Sequence, residues 1–513
     1  MSILERFCEY FSIDEEGYKK LIAPLSFSSI PTIENDPMVI KTIGRLKEAK
    51  EKGEKVLIYG DYDCDGVMST SILLRALREF GVIAEGYLPS RYLDGYGINE
   101  GNVEKIAAKG YDIIFTTDNG VTAHSALKKA KEKGITTVVL DHHEFDKTAP
   151  ETDYLLHPSK LAYGNVPISA GFLAFLFSHS LLNRFDPYLL TLGAVSTLSD
   201  SMPLRDENRA IVRLALEILN EKKYPEFVLL TDATEFDETT LQFDVIPKIN
   251  AVGRLEKEHQ INRLLPYFSR SSMKMEAIAN YLNQTNEKRK SMTKEIVSSL
   301  SIDENEPALS LSLDAPEGMN GLLSSRLLSL YQKPVAVFSQ KESDKECLVG
   351  SIRSVPGFDI GDALSKMDVA FVARGGHALA GGCTIKKEDF AHFKKEFSFF
   401  ALKAKLSKPS EKTIPLERDE ANIDTYRIYR SFAPYGEGWK APKFSLKGLD
   451  PNAFTFMKDG KYLNSQYGAC RLLSFSLGKE SFDYDKNVDL VGSIREHNFK
   501  GKKNLEILVE KAL

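Results

Sequence analysis

The sequence predicts a multidomain α/β protein that opens with a parallel, doubly wound domain. Three short β-rich runs, at 56–66, 112–120 and 136–144, alternate with helix-like stretches at 69–81 and 122–134. Both helix-like stretches carry apolar residues at spacings of three and four, and both end at a glycine, as helices often do. Alternation of the β-α-β-α-β type is typical of a parallel sheet covered by helices.

The rest of the chain predicts three further regions. Residues 205–300 read as mostly helical, with one long helix over 272–300, and a second α/β stretch runs from about 305 to 400 and ends in the glycine-rich segment 373–382. The polar stretch 403–413 marks a boundary, and β-rich runs with turn signals such as KDGK follow it. We therefore expect a helical connector, a second α/β domain and a small β-barrel.

Composition excludes several classes of protein. With 513 residues, 42% of them hydrophobic and 27% charged, the chain is too long for a single core and has the balance of a globular protein. Its five cysteines are scattered without a C-x-x-C pair, which argues against a disulfide framework or a structural zinc site. The first residues lack the basic and apolar regions of a signal peptide, and the longest apolar run, 172–177, is too short to span a bilayer. We expect a cytoplasmic protein that does not enter a membrane.

Charge is distributed unevenly along the chain. The whole sequence carries 67 Lys+Arg against 72 Asp+Glu, whereas the segment from Lys440 to the end carries 13 against 9. A basic tail favours binding of a polyanion, and the acidic remainder favours binding of metals.

Acidic clusters follow each of the three predicted strands. Because the carboxyl ends of parallel strands meet at one edge of a sheet, residues far apart in sequence are expected to converge there. Asp200, at the end of a largely apolar run, supplies a fourth point from a neighbouring element. The residues expected to converge are Asp63, Asp65, Asp118, Asp141 and His142, with Asp200 joining them.

Each cluster alone has an ordinary explanation. Three carboxylates within Asp61–Asp65 repel one another unless cations neutralise them, but one such cluster could equally be a solvated turn that caps a helix. The calcium EF-hand shares the D-x-D-x-D-G spacing and is excluded, because its bidentate Glu would fall at Ile72. The combination of all four points favours a metal site.

The ligand types favour Mn²⁺, with Mg²⁺ as the alternative. Aspartates and imidazoles without a thiolate suit these ions better than Ca²⁺ or structural Zn²⁺, and five to seven candidate ligands are too many for one ion. Two ions about 3.5–4 Å apart would clamp the attacking and leaving oxygens of a phosphoryl displacement. Phosphoester hydrolysis is therefore the leading reaction class.

Candidate phosphate ligands are individually weaker signals. Single arginines are more often surface ion pairs, and glycine-rich stretches are more often turns. The candidates are Arg91, Arg254, Ser351, Arg353, Ser354, Gly375, Gly376 and His377.

Taken together, the motifs resemble those of the DHH phosphoesterase family, and within it the single-stranded-DNA exonucleases. The metal-binding motifs are YGDYDCDG, TTDNG, DHH and STLSDSMPL, in family order, and the similarity continues through LPSRYLDGYG, KINAVGRL, NEKR, GMNGLLSSRL, GSIRS, PGFDI, GGHALAGG and APYGEGWKAPKF. The resemblance implies a leader (1–49), a DHH domain (50–215), a helical connector (216–303), a DHH-associated domain (304–402) and an OB-like nucleic-acid-binding barrel (414–513). It further implies processive 5′→3′ hydrolysis of single-stranded DNA to 5′-mononucleotides, in recombination and repair.

Roles carry over position by position. The resemblance implies metal ligands at Asp63, Asp65, Asp118, His142 and Asp200, with Asp61, Asp141 and His143 as catalytic support and His143 near the scissile phosphate. The phosphate candidates would contact the nucleic-acid backbone or its 5′ phosphate.

Five positions depart from the family pattern. Val252 stands where an alanine is usual, Trp439 and Lys440 replace Asn-Pro, and Ser169 and Ser196 replace glycines. We expect none of these residues to touch a proposed ligand, so the departures concern the groove and the docking of the barrel.

Two other functions stay open. One is a phosphodiesterase of short oligonucleotides or cyclic dinucleotides, and the other is a catalytically inactive scaffold that binds single-stranded DNA. A single-strand-binding protein or a helicase stays open as a partner, and a monomer is the default expectation.

Overall fold

The structure, a computed structural model, describes residues 1–145, 148–161, 163, 167–270, 274–406, 412–499 and 502–513. Contacts divide the chain into two compact units. The larger unit contains residues 27–202 and 206–409, and the smaller contains 1–26, 203–205 and 410–513. In the part of the chain that the structure describes, no helix combines the length and the apolar character needed to cross a bilayer.

A five-stranded, all-parallel sheet lies at the centre of the first α/β domain. Its order is β2-β1-β3-β4-β5, with β1 Lys55–Tyr59, β2 Ile83–Tyr87, β3 Ile113–Thr117, β4 Thr136–Leu140 and β5 Tyr154–Leu156. The surrounding helices are α3 Pro37–Lys52, α4 Cys64–Phe80, α5 Glu100–Ala108, α6 His124–Glu132, α7 Ala170–Leu182 and α8 Pro187–Ser199. The structure therefore confirms the predicted doubly wound domain.

Both faces of this sheet are covered, which explains the nearly continuous apolar runs of its inner strands. On one face, Leu57, Tyr59 and Ile114 pack with residues of α5 and α6. On the other face, α4 contacts β1, β2 and β3, and α7 contacts β4. Helix α4 ends at Gly81, whose φ of 100° lies in the left-handed region that glycine tolerates.

Helices dominate the connector, as the sequence predicts. They are α9 Asp206–Lys222, α10 Pro225–Val228, α11 Glu238–Thr240, α12 Ile246–Leu255, α13 Leu264–Phe268 and α14 Met275–Ser299. The long helix begins three residues later than its predicted start, and residues 272 and 273 of that prediction lie outside the described residues. Short 3-10 or π turns occur at Phe27–Ser29, Leu241–Val245, His259–Arg263, Glu317–Met319, Lys387–Asp389, Pro451–Ala453 and Lys479–Ser481.

The second α/β domain contains a mixed five-stranded sheet of order β6-β7-β8-β10-β9. The β6–β7 pair is parallel and the other pairs are antiparallel. Its elements are β6 Leu309–Ser312, α15 Asn320–Tyr331, β7 Val335–Lys341, β8 Asp344–Arg353, α16 Ile360–Lys366, β9 Phe371–Gly376, β10 Ala380–Lys386 and α17 Phe390–Lys403. The glycine-rich segment forms the β9–β10 hairpin, which the sequence did not predict as strands.

The smaller unit contains a seven-stranded sheet of order β11-β12-β16-β17-β15-β14-β13. Its elements are α1 Ile3–Phe11, α2 Glu15–Ile22, β11 Thr413–Pro415, α18 Ile423–Ser431, β12 Lys443–Leu449, β13 Phe456–Met457, β14 Tyr462–Tyr467, β15 Cys470–Leu473, β16 Val488–Phe499 and β17 Lys502–Ala512. Phe7 of α1 lies in its core, and Phe11 stacks on Trp439 with ring centroids 4.2 Å apart. The segment expected as a polar leader thus holds α1 and α2, which pack in this unit, and α3, which belongs to the larger one.

Candidate metal centre

The candidate site lies where the strand order of the parallel sheet reverses. The chain runs from β1 outward to β2 and then returns to β3 on the other side of β1. Loops at the carboxyl ends of two such strands diverge and leave a crevice, which is where open α/β sheets bind ligands. The acidic clusters after β1, β3 and β4 all follow strands at this edge.

The loop after β1 carries three carboxylates and turns directly into α4. Asp63 is the N-cap of α4, and its Oδ1 accepts a hydrogen bond from the Gly66 amide at 3.1 Å. A Cβ at Gly66 would lie 2.4 Å from the Asp61 carbonyl oxygen, so only glycine fits this turn. Asp65 lies in the first turn of the helix and is buried. The helix therefore begins five residues earlier than predicted, because its first turn is part of the site.

Asp118 follows β3 with a φ of 61°, a left-handed conformation that costs free energy in a non-glycine residue. The neighbouring Asn119 ties this turn to the end of β1: its Nδ2 donates to the carbonyls of Tyr59, Gly60 and Thr117 at 3.2, 3.0 and 2.9 Å. The asparagine thus holds Asp118 beside the carboxylates of the β1 loop.

The two histidines after β4 are each held by a carboxylate. His142 Nε2 lies 2.8 Å from Asp200 Oδ2, and His143 Nδ1 lies 2.8 Å from Asp141 Oδ1. Asp200 reaches the site from the C-cap of α8. Asp141 is buried and also accepts hydrogen bonds from the amides of Val121, His142 and His143.

These contacts set the pKa values of the histidine–carboxylate pairs. Burial, the largest single effect, raises the pKa of Asp141, but the hydrogen bond and charge of His143 together with the Val121 amide outweigh it, and the net shift of the pKa is downward. Burial lowers the pKa of His143, yet the hydrogen bond to Asp141 raises it to about 9. The pKa of His142 is likewise raised against its burial, mainly by the hydrogen bond with Asp200.

Burial and mutual repulsion raise the pKa values of three other carboxyl groups, those of Asp61, Asp65 and Asp118. Burial and the charge of Asp63 raise the pKa of Asp61 well above its usual value, and burial and the charge of Asp65 do the same for Asp118. Burial and the charge of Asp200 raise the pKa of Asp65 to about 6. Such a cluster is unfavourable as a set of free carboxylates and favourable around cations.

Two buried side-chain atoms at the site have the properties of metal ligands. Asp61 Oδ1 and His142 Nδ1 are buried and make no hydrogen bond to any described residue. Orphaned buried acceptors are rare in native proteins, and oxygen and imidazole donors are the ligands that Mn²⁺ and Mg²⁺ accept. The residues present therefore fit divalent cations.

Ligand atoms fall into overlapping groups whose members lie within 4.8 Å of one another. One group is Asp61, Asp63 and Asp118; a second is Asp65, His142 and Asp200; and a third is Asp118, Asp141, His142 and His143. The structure thus brings together the six residues expected to converge, and it places Asp61 and His143 among them. Asp118 and His142 belong to two groups each, which is the arrangement that two neighbouring ions need.

A basic wall adjoins the β1 loop. The Arg91 guanidinium lies 4.1 Å from the centre of the Tyr62 ring, and its Nε contacts the Gly253 carbonyl at 3.4 Å. Burial and the nearby Arg91 cation lower the pKa of Arg254 to about 10, with Arg289 and Arg353 contributing in the same direction. Several cations held this close to one another favour a bound anion.

Strand pairing in the second sheet places most of the other candidate phosphate ligands beside one another. Gly382 of β10 pairs with Ser351 of β8 on one side and with Gly375 of β9 on the other. Arg353 pairs with Ala380, and the His377 amide donates to the Ala380 carbonyl at 2.8 Å. Ser351, Arg353, Gly375, Gly376 and His377 therefore share one end of the sheet. Ser354 is different: its hydroxyl is buried and donates to the Phe358 carbonyl at 2.9 Å, so its proton is used within its own loop.

Two residues near the site were not singled out from the sequence. Asn250 Oδ1 accepts from the Cys64 amide at 2.8 Å, between Asp63 and Asp65. The Tyr96 ring lies edge-on to the rings of Tyr62 and His143, at 6.5 and 6.2 Å. Both residues lie inside sequence motifs of the family, KINAVGRL and LPSRYLDGYG, and membership of these motifs is the signal that could have identified them.

Comparison with protein families gives three matches in chain order. The DHH family N-terminal domain matches residues 55–195, the DHHA1 domain matches 296–401, and the RecJ OB domain matches 414–511.

Individual relatives agree with these matches. The single-stranded-DNA-specific exonuclease RecJ of Bacillus subtilis is 34% identical over 359 residues, which are 67% of this chain and 45% of that protein, so the match spans less than half of that relative. The protein of the same name from Haemophilus influenzae is 27% identical over 92% of this chain and 89% of its own length.

Solved structures show the same fold. RecJ of Thermus thermophilus in complex with Mn²⁺ superposes with a TM-score of 0.85 at 23% identity, over 100% of this chain and 76% of that one. The same protein in complex with Mg²⁺ gives a TM-score of 0.78 at 21% identity, over 99% and 74%.

Proposed function

Because the chain belongs to the DHH phosphoesterase family and carries the DHH, DHHA1 and RecJ OB domains in order, we propose that it is a metal-dependent exonuclease of single-stranded DNA. It removes 5′-mononucleotides in the 5′→3′ direction and acts in recombination and repair. The observation that carries this proposal is the cluster at the sheet edge, in which Asp118 lies within ligand distance of two groups of metal-binding side chains.

Each of two ions would take one set of ligands. Asp63 and Asp118, supported by Asp61, would hold one Mn²⁺ or Mg²⁺, and Asp65, His142 and Asp200 would hold the other. When bound, two such ions act as Lewis acids toward the scissile phosphate and generate a hydroxide-like nucleophile near neutral pH.

His143 is the residue that we place next to the scissile phosphate. Its Nδ1 is held by Asp141, which also accepts three backbone amides, so the ring orientation is fixed. This leaves Nε2 as the ring nitrogen that can meet a phosphate oxygen. A buried carboxylate orients a histidine in the same way in other active sites.

The 5′ phosphate and the backbone of the strand would meet the basic wall and the second sheet. Arg91 and Arg254 adjoin the β1 loop, and Ser351, Arg353 and the Gly375–His377 segment line one end of the neighbouring sheet. Arginine forks match phosphate oxygens in geometry and charge. We keep these residues as the backbone and 5′-phosphate contacts, and we leave out Ser354 because its hydroxyl proton is already used.

The C-terminal unit adds a surface for the strand. A groove of about 1300 Å³ is lined by arginines and amides, including Arg418, Asn464, Gln466 and Arg471. Buried Glu506 holds Arg471 and Arg495, with Nη2 of Arg495 at 2.8 Å and Nη1 of Arg471 at 3.4 Å from its oxygens. The described residues that line the groove include no Phe, Tyr or Trp, so we assign it to the sugar–phosphate backbone rather than to base stacking.

The remaining expectations are kept as parts of the proposal. The chain divides into a leader (1–49), catalytic domain (50–215), connector (216–303), DHH-associated domain (304–402) and OB-like domain (414–513). The protein is cytoplasmic and monomeric, and a single-strand-binding protein or a helicase is the kind of partner that would supply its substrate.

End-labelled strands test the proposal. We expect mononucleotides to be released from the 5′ end of a long single strand in Mn²⁺, and no release from a full duplex or in the presence of a chelator. Turnover of dinucleotides without cleavage of long strands would instead identify a short-oligonucleotide phosphodiesterase. Salt-sensitive binding without turnover would identify an inactive scaffold.

A further inference from the structure

The expectation that Ser169 and Ser196 touch no proposed ligand is wrong for Ser196. These two buried serines lie directly behind Asp65 and have no role in the mechanism above. Ser169 is the N-cap of α7, and Ser196 lies in α8; both are fully buried. Their Oγ atoms are 2.6 Å apart, and Ser196 Oγ lies 2.5 Å from Asp65 Oδ1. We propose that Ser196, supported by Ser169, is a positioning residue that holds Asp65 for the ion shared with His142 and Asp200. This inference rests on the metal-dependent function proposed above.

The direction of the hydrogen bonds follows from counting protons. Asp65 as a metal ligand is a carboxylate and can only accept, so Ser196 donates its single hydroxyl proton to it. Ser196 Oγ also accepts from the Gly171 amide at 3.0 Å. Because Ser196 donates its single proton to Asp65, Ser169 must be the donor in the short contact between the two hydroxyls. The two hydroxyls therefore form a chain, Ser169 to Ser196 to Asp65, in which each bond polarises the next.

This chain determines which oxygen of Asp65 stays open. Oδ1 accepts from Ser196 and, at 2.8 Å, from the Gly171 amide, whose proton it shares with Ser196 Oγ. Among the described residues, Oδ2 accepts from the Ala170 amide alone, at 3.0 Å. A carboxylate oxygen offers about two acceptor sites, so Oδ1 is filled and Oδ2 retains one. The protein thus presents Oδ2 to a cation and keeps the carboxylate from rotating.

The packing leaves little freedom for any other arrangement. A Cβ at position 171 would lie 2.4 Å from Ser196 Oγ and 3.3 Å from Asp65 Oδ1. Glycine is required there so that α7 can approach the serine and the carboxylate together. Without the Ser196 hydroxyl, Oδ1 loses a donor and a small cavity opens beside it.

Titration of Mn²⁺ into metal-stripped full-length protein, followed by the resonance signal of free Mn²⁺, tests the inference without measuring activity. Removal of a group that orients a metal ligand typically weakens binding by tenfold or more, so we expect S196A to weaken one of two binding steps about tenfold and to leave the other near the wild-type value. The matched control is S178A. Ser178 is buried in α7 and donates to the Ala174 carbonyl at 2.7 Å, so its loss removes a comparable hydroxyl away from Asp65.

A second variant covers the case in which S196A does not fold. S169G removes the donor to Ser196 while glycine remains an acceptable N-cap, and we expect a smaller weakening of the same step. Wild-type affinity in both S196A and S169G would overturn the inference, as would equal weakening in S178A or the absence of Mn²⁺ binding by the wild type. Cleavage of single-stranded DNA by the wild type, measured in parallel, separates these outcomes from a failure of the proposed function.

Discussion

Single carboxylates fix the orientation of the catalytic loops in this protein. Asp141 and Asp200 each hold one histidine, and Asp94 performs a similar task in the loop that carries Arg91. Asp94 Oδ2 accepts from the Tyr87 hydroxyl and the Ser90 amide, both at 2.9 Å, and contacts His259 Nε2 at 2.8 Å. The loop is therefore tied to the sheet and to the connector through one side chain.

Asp94 gives a prediction about acid stability. Burial raises its pKa, but the hydrogen bonds from Ser90, Tyr87 and His259 outweigh burial and lower it below the ordinary value of 3.8. A depressed carboxyl pKa contributes stability that is complete above the unfolded-state pKa and is lost as the pH falls through the folded-state pKa. We expect Asp94→Asn to lower the urea midpoint near neutral pH and to flatten its dependence between about pH 5 and pH 2. An unchanged acid slope would show that the carboxylate contributes nothing.

Residues at strand ends were the predictable part of the site. Because the strands are parallel and adjacent, Asp63, Asp118 and His142 had to meet at one edge, and the structure brings them together. The contacts of Ser196 and Asn250 could not be predicted in this way. They join helices through packing, which leaves no periodic signal in the sequence.

At the scale of elements, helix α12 supports the acidic loop through backbone contact. Gly253 packs against the backbone of Tyr62, and Asn250 caps the Cys64 amide three residues before it along the helix. The connector is therefore part of the site and does more than link two domains.

The close approach of α12 predicts the effect of a single methyl group. A Cβ at position 253 would lie 2.2 Å from the Tyr62 carbonyl oxygen, which requires the backbone to move. We expect Gly253→Ala to destabilise the protein by about 1–3 kcal/mol and to reduce nuclease activity, because the shift moves the loop that holds Asp63.

The matched control is Gly44→Ala in helix α3. A Cβ there meets no atom within 4 Å, so alanine should stabilise the helix by about 0.5–1 kcal/mol and leave activity unchanged. Thermal unfolding and cleavage rates of both variants check the pair. Equal stability of the two variants would contradict the proposed contact between α12 and the loop.

Elements with a buried, apolar pattern were predicted well, and those without one were not. The inner strands β1, β3 and β4 match the predicted runs because both of their faces are covered. Strand β2, which lies at the edge and contains exposed Ile83 and Glu85, lacked that pattern and was missed. The β9–β10 hairpin was missed for the same reason, since its glycines predict turns rather than strands.

At the scale of the whole molecule, the substrate must be held as well as cut. The groove in the C-terminal unit offers Arg418 and Arg471, and Glu506 holds Arg471 in place before any ligand arrives. Preorganised cations of this kind favour a phosphate backbone without preference for sequence.

Loss of one of these arginines should weaken DNA binding in a salt-dependent way. We expect Arg471→Ala to reduce the affinity for single-stranded DNA and to lower the slope of log affinity against log salt by about one. Lys486→Ala is the control, because it removes one charge at an exposed position that does not line the groove. Equal effects of the two substitutions would indicate a general charge effect and no specific groove.

The most direct test of the account compares cleavage and binding of single-stranded DNA by the wild type and by Asp118→Ala. Asp118 lies in two of the three ligand groups, so its removal should abolish Mn²⁺-dependent cleavage while most of the DNA affinity, which comes from the basic surfaces, is retained. Undiminished cleavage by Asp118→Ala would contradict the assignment of this edge of the sheet as the catalytic metal centre.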